Sequence, residues 1–386
     1  MSDQYPGGNP PPYPGNQHYP GNQPYPGNQP YPGNQPYPQQ QPPQQWGPPP
    51  QAQWGPPPAP PVRPLPTFPH PEPREYHQML RTWNYAWWKP VVGILLVGLG
   101  MVIIAPLVLM PVLVVGVMIE GGPFWESFEK AATLQAIGPA SLLYLNLTLG
   151  AAILVTWAVM RWVHRMRPRW LTSVVPKMRW KFFFICLGLA VAALIAQLVV
   201  SMLLPGAQEA DVDQQVNDFT TTTAILALIV LVTTPFQAAG EEYVFRGYLM
   251  QALGSLFNNR WIALVVTATL FAMAHGVQNF PLFFDRFMFG LIAGWLVLRT
   301  GGLEAGIAMH ILNNFLAFGF ALTFADLTET LNVSEVGWSN IPLTLTQSLV
   351  YAVLVLLVGR KLGLQTRTRP PMTQDTTGDV RVLTHG

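Results

Sequence analysis

The sequence predicts an all-α protein, a polytopic bundle of about eight transmembrane helices preceded by a disordered tail. Half of the 386 residues are hydrophobic and only 10% are charged, whereas a typical soluble domain carries about a quarter charged residues. From residue 91 onward, apolar runs recur that are long enough to cross a bilayer, for which about 20 residues suffice. The net charge of +2 is too small to indicate a nucleic-acid partner.

The first part of the chain is rich in Pro, Gly, Tyr and Gln. It repeats the hexapeptide YPGNQP, and QWGPPP then occurs twice, at 45–50 and 53–58. Such a composition cannot bury enough apolar surface to fold, so residues 1–75 are predicted to be a disordered cytoplasmic tail. A solvated tether is the favoured interpretation of this tail. The regularly spaced Tyr and Trp side chains support a second interpretation, in which the tail binds protein partners.

The apolar runs divide the rest of the chain. Residues 76–180 are predicted to hold an interfacial segment and the first two transmembrane helices, 181–360 the core of the bundle, and 361–386 a cytoplasmic C-terminal tail. The fourth run is interpreted as a helix that continues to about residue 257. The eight candidate spans are 91–118, 139–160, 182–204, 223–240, 261–279, 281–299, 304–324 and 341–359.

Loop charges predict the orientation of the bundle. The segment 161–181 carries seven Lys and Arg residues, whereas the loops at 120–130, 205–222 and 325–340 nearly lack them. Because basic loops stay on the cytoplasmic side, eight spans place both termini in the cytoplasm. We therefore expect a multi-pass protein of the plasma membrane, in contact with the lipid bilayer along its spans.

Three ionisable residues at the end of the fourth run stand where charge is costly. Glu242 and Arg246 are four residues apart and share a helix face, with the acid on the favoured N-terminal side. Arg246 can therefore neutralise Glu242. Glu241 points away from that pair, and an unpaired carboxylate in a poorly solvated site suits a general base. A purely structural ion pair is the alternative for this group of charges.

Two later runs contribute further polar groups. Phe271 and His275 are four residues apart on the fifth run, and His310 and Asn314 are four apart on the seventh, where they can offer donors to an oxyanion. His275 alone could equally form an ordinary hydrogen bond between helices. The adjacent Asp285 and Arg286 are interpreted as structural, and Gly290 with Gly294 as a surface for close helix packing.

The order of these motifs resembles the CPBP family, the CAAX proteases and bacteriocin-processing enzymes also called the Abi family. The motifs stand as EEYVFR at 241–246, FAMAH at 271–275 and HILNN at 310–314, and the resemblance covers about residues 180–330. It implies an intramembrane endopeptidase with a helical bundle. By position, it implies that Glu241 and His275 activate the attacking water, that His310 and Asn314 stabilise the oxyanion, and that Glu242 and Arg246 shape the site.

The resemblance leaves the cofactor open. Glu241, His275 and His310 could supply a His₂Glu set for catalytic zinc, but the sequence has no HExxH motif. Family members are commonly called metalloproteases, and a glutamate mechanism without metal is also proposed for them. The sequence favours a mechanism without an obligatory metal only slightly.

The resemblance also limits the class of substrate. It implies a membrane-embedded or membrane-associated peptide, which is a prenylated C-terminus in eukaryotic relatives. In bacterial relatives it implies the maturation of small peptides or immunity to bacteriocins. The tail and the charge pattern fit a bacterial plasma membrane, for which a prenylated substrate is not expected.

Two other classes of function compete with peptide hydrolysis. Intramembrane Glu and His residues also serve as proton relays, so a proton-coupled transporter is one alternative. Such transporters often contain internal repeats, and the spans here show no convincing repeat. A membrane scaffold that binds partners through its Pro-rich tail is the other alternative, and deletion of the tail would separate it from an enzyme.

Overall fold

The computed structural model describes residues 69–203, 216–374 and 380–382. Within these residues the protein is a bundle of α-helices, which confirms the predicted fold class. Most of the predicted tail lies outside the described residues. The packed region already includes His70, which is buried and hydrogen-bonded through Nε2 to the carbonyl of Met79 at 2.7 Å. Packing thus begins before residue 75, where the tail was predicted to end.

The first half of the bundle contains three long helical segments joined by short ones. α1 and α2 form one helical rod with a π-helical segment, Gly100–Ile104, between them. α3 is amphipathic, with charged residues on an exposed face, and the two helices that follow it form a second continuous span. The helices are α1 (Trp88–Leu99), α2 (Ala105–Glu120), α3 (Phe124–Ala132), α4 (Pro139–Gly150), α5 (Ala152–Trp162) and α6 (Trp180–Leu203).

The second half holds the motifs. The helix that contains the first motif runs without a break for 37 residues, Thr221–Phe257, as the sequence predicted. It consists of an α-helix, a π-helical segment at Tyr243–Leu249 and a further α-helix. The helices are α7 (Thr221–Glu242), α8 (Met250–Phe257), α9 (Arg260–Met273), α10 (Phe280–Thr300), α11 (Glu304–Phe324), α12 (Leu327–Leu331) and α13 (Ile341–Lys361).

Short elements complete the described chain. Three 3₁₀ turns lie at Tyr76–Gln78, Pro168–Trp170 and Trp338–Asn340. An antiparallel hairpin near the C-terminus pairs β1 (Met372–Gln374) with β2 (Val380–Val382). The sequence analysis predicted no strand in this tail.

Seven helical segments of the described chain are long and apolar enough to cross a membrane. The fifth predicted span, 261–279, needs correction, because α9 ends at Met273 after 14 residues. At about 1.5 Å per residue it is roughly 21 Å long, less than the hydrocarbon core. Gly276 stops the helix with a φ of +82°, and Asn279 caps the next helix. The membrane-length helices carry many exposed apolar side chains, as a surface in lipid requires.

The helix with the first motif lies at the centre of the bundle. α7 packs against α4 on one side and α11 on the other, and α6 packs against α11 and α13. A Cβ on Gly240 would overlap the carbonyl oxygen of Leu149, so only glycine permits this approach. The predicted packing role of Gly290 and Gly294 is confirmed, since added Cβ atoms would lie 3.1 Å from Ala268 and 2.6 Å from Leu264 on α9.

Candidate active site

The first motif is buried where α7 changes into its π-helical segment. Glu241 and Glu242 are the last two residues of α7, and Arg246 lies in the π-helical segment. Glu242 and Arg246 are 0% and 1% exposed, and Glu241 is 7% exposed. π-Helical segments are rare and occur often at functional sites. Three buried charges within six residues require compensating partners, because desolvation of an ion is expensive.

The partners of Glu242 come from its own helix and from α11. Arg246 Nη1 donates to Glu242 Oε1 at 2.8 Å, so the predicted ion pair is present. The Nδ1 atom of His310 lies 3.0 Å from the same oxygen. Because an ionised carboxylate only accepts, Nδ1 carries the proton and Nε2 of a neutral His310 is left with a lone pair. A Cβ on Gly306 would lie 2.6 Å from Glu242 Oε2, so glycine is needed beside this carboxylate.

Aromatic rings cover the buried guanidinium. Arg246 Cζ lies 4.0 Å from the centroid of Phe271 and 5.7 Å from that of Phe289. The Phe271 ring also meets His275 edge-on, with 4.7 Å between the centroids, and Phe289 meets His310 in the same way at 5.3 Å. The aromatic residue of the second motif therefore forms a wall shared by Arg246 and both histidines. Cation–π attraction partly replaces the lost hydration of Arg246.

Glu241 has a different environment from its neighbour. Its Oε1 accepts a hydrogen bond of 2.6 Å from Gln237 Nε2, one helical turn earlier. Its Oε2 is buried and has no hydrogen-bond partner. His310 Nε2 lies 3.7 Å from that oxygen, which is too far for a direct hydrogen bond. The predicted separation of Glu241 from the Glu242–Arg246 pair is therefore present, with one carboxylate oxygen left available.

A chain of side-chain amides connects Glu241 to α11. Asn314 Nδ2 donates to Gln237 Oε1 at 2.8 Å, and Gln237 in turn donates to Glu241. An amide NH₂ group has two donors, so one N–H of Asn314 remains for another acceptor. The sequence analysis did not identify Gln237. Its spacing of four residues from Glu241 was the signal that could have revealed it.

His275 lies just beyond the end of α9, in the turn that precedes α10. Its Nδ1 is 2.8 Å from the carbonyl oxygen of Phe271. A carbonyl only accepts, so Nδ1 is the protonated nitrogen of the neutral ring and Nε2 is free to accept a proton. The four-residue spacing in the second motif thus fixes the tautomer of His275, which the sequence did not predict.

Some of these side chains border one cavity of about 430 Å³, whereas His310, Glu242 and Arg246 are not among its lining residues. Glu241, His275, Asn314 and Gln237 all line it, together with Phe271 and Phe289. Asp285 and Arg286, interpreted from the sequence as structural, line the same cavity, as does Asn313. Asp285 accepts a short hydrogen bond from Thr344, and Arg286 donates to Gln278 at 2.9 Å. Both thus have structural partners while they face the cavity.

Glu241, His275 and His310 are the side chains that the sequence offered as possible zinc ligands. Glu241 Oε2 and His310 Nε2 face each other across 3.7 Å. Over 69–203, 216–374 and 380–382, however, no three His, Cys, Asp or Glu side chains are placed to hold a metal ion. Glu241, His275 and His310 do not form a ligand cage as they stand. Zinc-assisted hydrolysis and a glutamate mechanism without metal therefore both stay predictions.

Comparison with known proteins supports the assignment of the motifs. Residues 222–316 match the family of type II CAAX prenyl endopeptidase Rce1-like proteins. The chain is also 27% identical over 172 residues to the uncharacterized protein YyaK of Bacillus subtilis (strain 168). That alignment covers 42% of this chain and 55% of YyaK, so the chain spans about half the length of this relative. No solved structure gives a significant match.

The residues that match the family model include those that form the cluster around Glu241. The matched residues begin at the first turn of α7 and end on α11 two residues after Asn314. They therefore contain all three motifs and every polar group of the cluster around Glu241. The resemblance to the CPBP family is confirmed in this segment, where residues 222–316 match the model of the Rce1-like type II CAAX prenyl endopeptidases.

Proposed function

We propose that this protein is an intramembrane endopeptidase that hydrolyses a peptide bond of a membrane-associated protein or peptide. The observation that carries the proposal is Glu241 Oε2, a buried carboxylate oxygen without a hydrogen-bond partner at a cavity that His275 also lines. Buried polar atoms are nearly always satisfied, so an unsatisfied one beside a cavity indicates a reacting partner. The family match supports peptidase chemistry at this site.

The first step is the attack of water on the scissile carbonyl. A water between Glu241 Oε2 and His275 Nε2 would have two acceptors for its protons. Its oxygen forms a bond to the carbonyl carbon, while one proton passes to Glu241. Gln237 holds the other carboxylate oxygen at 2.6 Å, which fixes the direction in which Oε2 points. Proton transfer by a positioned carboxylate contributes about 10²–10⁴ in rate.

The second step needs donors for the negative charge that develops on the carbonyl oxygen. The remaining N–H of Asn314 supplies one donor. His310 supplies the other in its doubly protonated form, because its Nδ1–H already points to Glu242. The Glu242 carboxylate stabilises that cation and orients the ring. The C–N bond then breaks, and the leaving amine takes the proton from Glu241.

The proposal extends to the class of substrate and to the membrane location of the protein. The cavity lies among membrane-length helices, which fits a substrate embedded in or associated with the bilayer. We propose a multi-pass plasma-membrane protein of bacterial type with both termini in the cytoplasm, on the basis of the loop charges. This orientation counts the short α9 as a crossing, because the start of α9 and the end of α10 line the same cavity. A partner-binding role of the Pro/Tyr-rich tail is a separate proposal that the active site does not require.

A cleavage assay in liposomes tests the proposal. Glu241→Ala, His275→Ala and His310→Ala are each expected to reduce the cleavage of a membrane-tethered peptide library by 10² or more, because each removes a proton acceptor or an oxyanion donor. A variant without residues 1–60 should cleave normally, which separates the enzyme from a scaffold. Retained turnover in all three alanine variants would overturn the site assignment.

Two further arms test the alternatives. A chelator added to the wild-type enzyme decides the zinc question, since a metal-dependent enzyme loses turnover and regains it with Zn²⁺. Proton flux measured in the same liposomes addresses the proton-coupled transporter. Flux that depends on Glu241 in the absence of cleavage would favour the transporter over the peptidase.

A further inference from the structure

A second cavity, of about 550 Å³, lies where α9 begins and α10 and α13 end. It shares no lining residue with the cavity around Glu241. We call it the basic pocket, because four arginines line it: Arg260, Arg299, Arg360 and Arg367.

The charges of the basic pocket are not balanced within the described chain. Its one acidic lining residue, Glu75, is 2.7 Å from Arg367 and neutralises that arginine. Arg260, Arg299 and Arg360 form no ion pair with any carboxylate in the described ranges. All three arginines are exposed, so solvent partly screens their mutual repulsion, and a bound anion would balance the positive charge that they place around the cavity.

The walls of the basic pocket are held by backbone contacts. The C-terminal segment that forms one wall is fixed to the segment before α1, since Thr368 N donates to Arg74 O at 2.9 Å and Arg74 N donates to Thr368 Oγ1 at 2.8 Å. Glu75 and Arg367 pair there as an antiparallel bridge. On the other side, Gly301 packs closely enough that an added Cβ would lie 2.5 Å from the carbonyl of Gln365.

The same pocket is partly apolar. Leu298, Leu356 and Leu364 line it beside the arginines, as do Trp261 and Trp295. Trp261 is 54% exposed, and tryptophan favours the headgroup level of a bilayer. A free inorganic anion would use the guanidinium groups but not the apolar wall. A phospholipid uses both, through its phosphate and the first carbons of its acyl chains.

We propose that the basic pocket binds the headgroup of an anionic phospholipid at the basic end of the bundle. Planar guanidinium groups bind phosphate oxygens through two donors at once. Basic pockets between transmembrane helices on the cytoplasmic side are sites for anionic headgroups. Such a lipid connects the start of α9 to the ends of α10 and α13, so its binding stabilises the fold. The proposal does not depend on the peptidase activity.

Native mass spectrometry of the full chain in neutral detergent tests the proposal. The probes are phosphatidylglycerol, phosphatidylcholine, sn-glycerol 3-phosphate and inorganic phosphate. The wild-type protein should retain phosphatidylglycerol saturably and phosphatidylcholine much less. Each basic residue near an anionic surface contributes about fivefold in affinity, so R299Q/R360Q should bind phosphatidylglycerol about 25-fold more weakly.

The matched control is Lys361→Gln. Lys361 follows Arg360 directly, carries the same charge and does not line the basic pocket. It should retain wild-type affinity, and phosphatidylglycerol should raise the melting temperature of the control more than that of R299Q/R360Q. The single variants Arg299→Gln and Arg360→Gln replace the double variant if that variant does not fold. Equal affinity of R299Q/R360Q and the wild type for phosphatidylglycerol would overturn the proposal. Inorganic phosphate that displaces phosphatidylglycerol as effectively as added lipid does would also overturn it.

Discussion

Two Arg–Glu ion pairs lie inside the part of the bundle that the structure describes, and they differ in how completely their atoms are hydrogen-bonded. The Arg179 side chain donates two hydrogen bonds to the Glu304 carboxylate, from Nε at 2.8 Å and from Nη2 at 2.6 Å. The backbone N–H of Arg179 donates a third at 3.0 Å. Its remaining guanidinium nitrogen donates to Thr300 O at 2.8 Å. By contrast, the pair of Glu242 and Arg246 leaves Oε2 and Nη2 without hydrogen-bond partners.

The location of the two pairs explains the difference. The Arg179–Glu304 pair joins the start of α6 to the start of α11, where two backbone segments must be held together. The Glu242–Arg246 pair lies beside Glu241, whose own Oε2 is also unsatisfied. Complete hydrogen bonding rigidifies a structural site, whereas unsatisfied buried atoms are tolerated where a substrate supplies the partner. The two pairs thus differ in how fully they are hydrogen-bonded, and the incompletely bonded pair is the one beside Glu241.

The largest expected effect is on catalysis. Glu241→Ala should reduce cleavage by about 10⁴, the upper end for loss of a general base. Because the proposed mechanism places Glu241 and His275 on the same water, it predicts that the double variant Glu241→Ala/His275→Ala is no slower than Glu241→Ala alone. Single-turnover kinetics of the three variants check this. Losses that multiply in the double variant would contradict a shared water.

The second effect concerns the satisfied pair. Arg179→Ala leaves Glu304 buried without its partner, and breaking a buried pair in this way costs about 3–5 kcal/mol of stability. The cleavage rate per folded molecule should stay at the wild-type value, because Arg179 lies outside the active-site cavity. Thermal unfolding followed by circular dichroism measures the first quantity, and active-site-normalised turnover measures the second. A stable but inactive variant would reverse the assignment of the two pairs.

The third effect is a pH dependence of folding stability that comes from buried histidines outside the candidate active site. Burial lowers the pKa of His70 and of His164 from 6.5 to about 4, and nearby Arg74 and Lys89 add to the respective decreases. Both lie outside the membrane-length helices. Unfolded histidines bind protons below pH 6.5, so stability is complete above that pH and falls as the pH decreases toward 4. Each residue contributes up to about 3 kcal/mol of this loss.

Melting temperatures between pH 7.5 and 4.5 check the third prediction. His164→Gln should flatten the curve, because glutamine does not titrate and can still bond to the Tyr248 hydroxyl, which lies 3.0 Å from His164 Nε2. An unchanged slope in His164→Gln would show that other groups control acid unfolding.

The smallest effect tests the chain of amides. Gln237→Leu removes the hydrogen bond that orients Glu241 without removing the acid. We expect about a tenfold loss in kcat, which corresponds to about 1.4 kcal/mol and is close to the lower end for a hydrogen bond to a charged group. Gln237→Glu keeps the shape but adds a charge beside Glu241, and it should lose more activity when both acids are ionised. A pH profile of the two variants distinguishes orientation from charge. Wild-type profiles in both would rule out Gln237 as a positioning residue.

Sequence reasoning predicted the elements of the site from simple spacing. The four-residue spacing of Glu242 and Arg246 predicted the ion pair, and the adjacent position of Glu241 predicted its separation from that pair. The all-α fold followed from the length of the apolar runs. These predictions depend on local geometry along one helix, which the sequence encodes directly.

The sequence could not predict the contacts that depend on packing between helices. The bond from His310 to Glu242 joins residues 68 positions apart, and nothing in either motif specifies which nitrogen makes it. The early end of α9 follows from a positive φ at Gly276, one glycine among 33 in the chain. The role of Gln237 requires Asn314 on a neighbouring helix. Each of these depends on the positions of separate helices relative to each other.

The most direct test compares Glu241→Gln with Glu304→Gln in one experiment that measures turnover and melting temperature on the same samples. Both changes remove one buried negative charge and keep the side-chain size. The account predicts that Glu241→Gln loses at least 10² in turnover with little change in melting temperature, and that Glu304→Gln melts earlier with normal turnover per folded molecule. Equal turnover in Glu241→Gln and wild type would contradict the account.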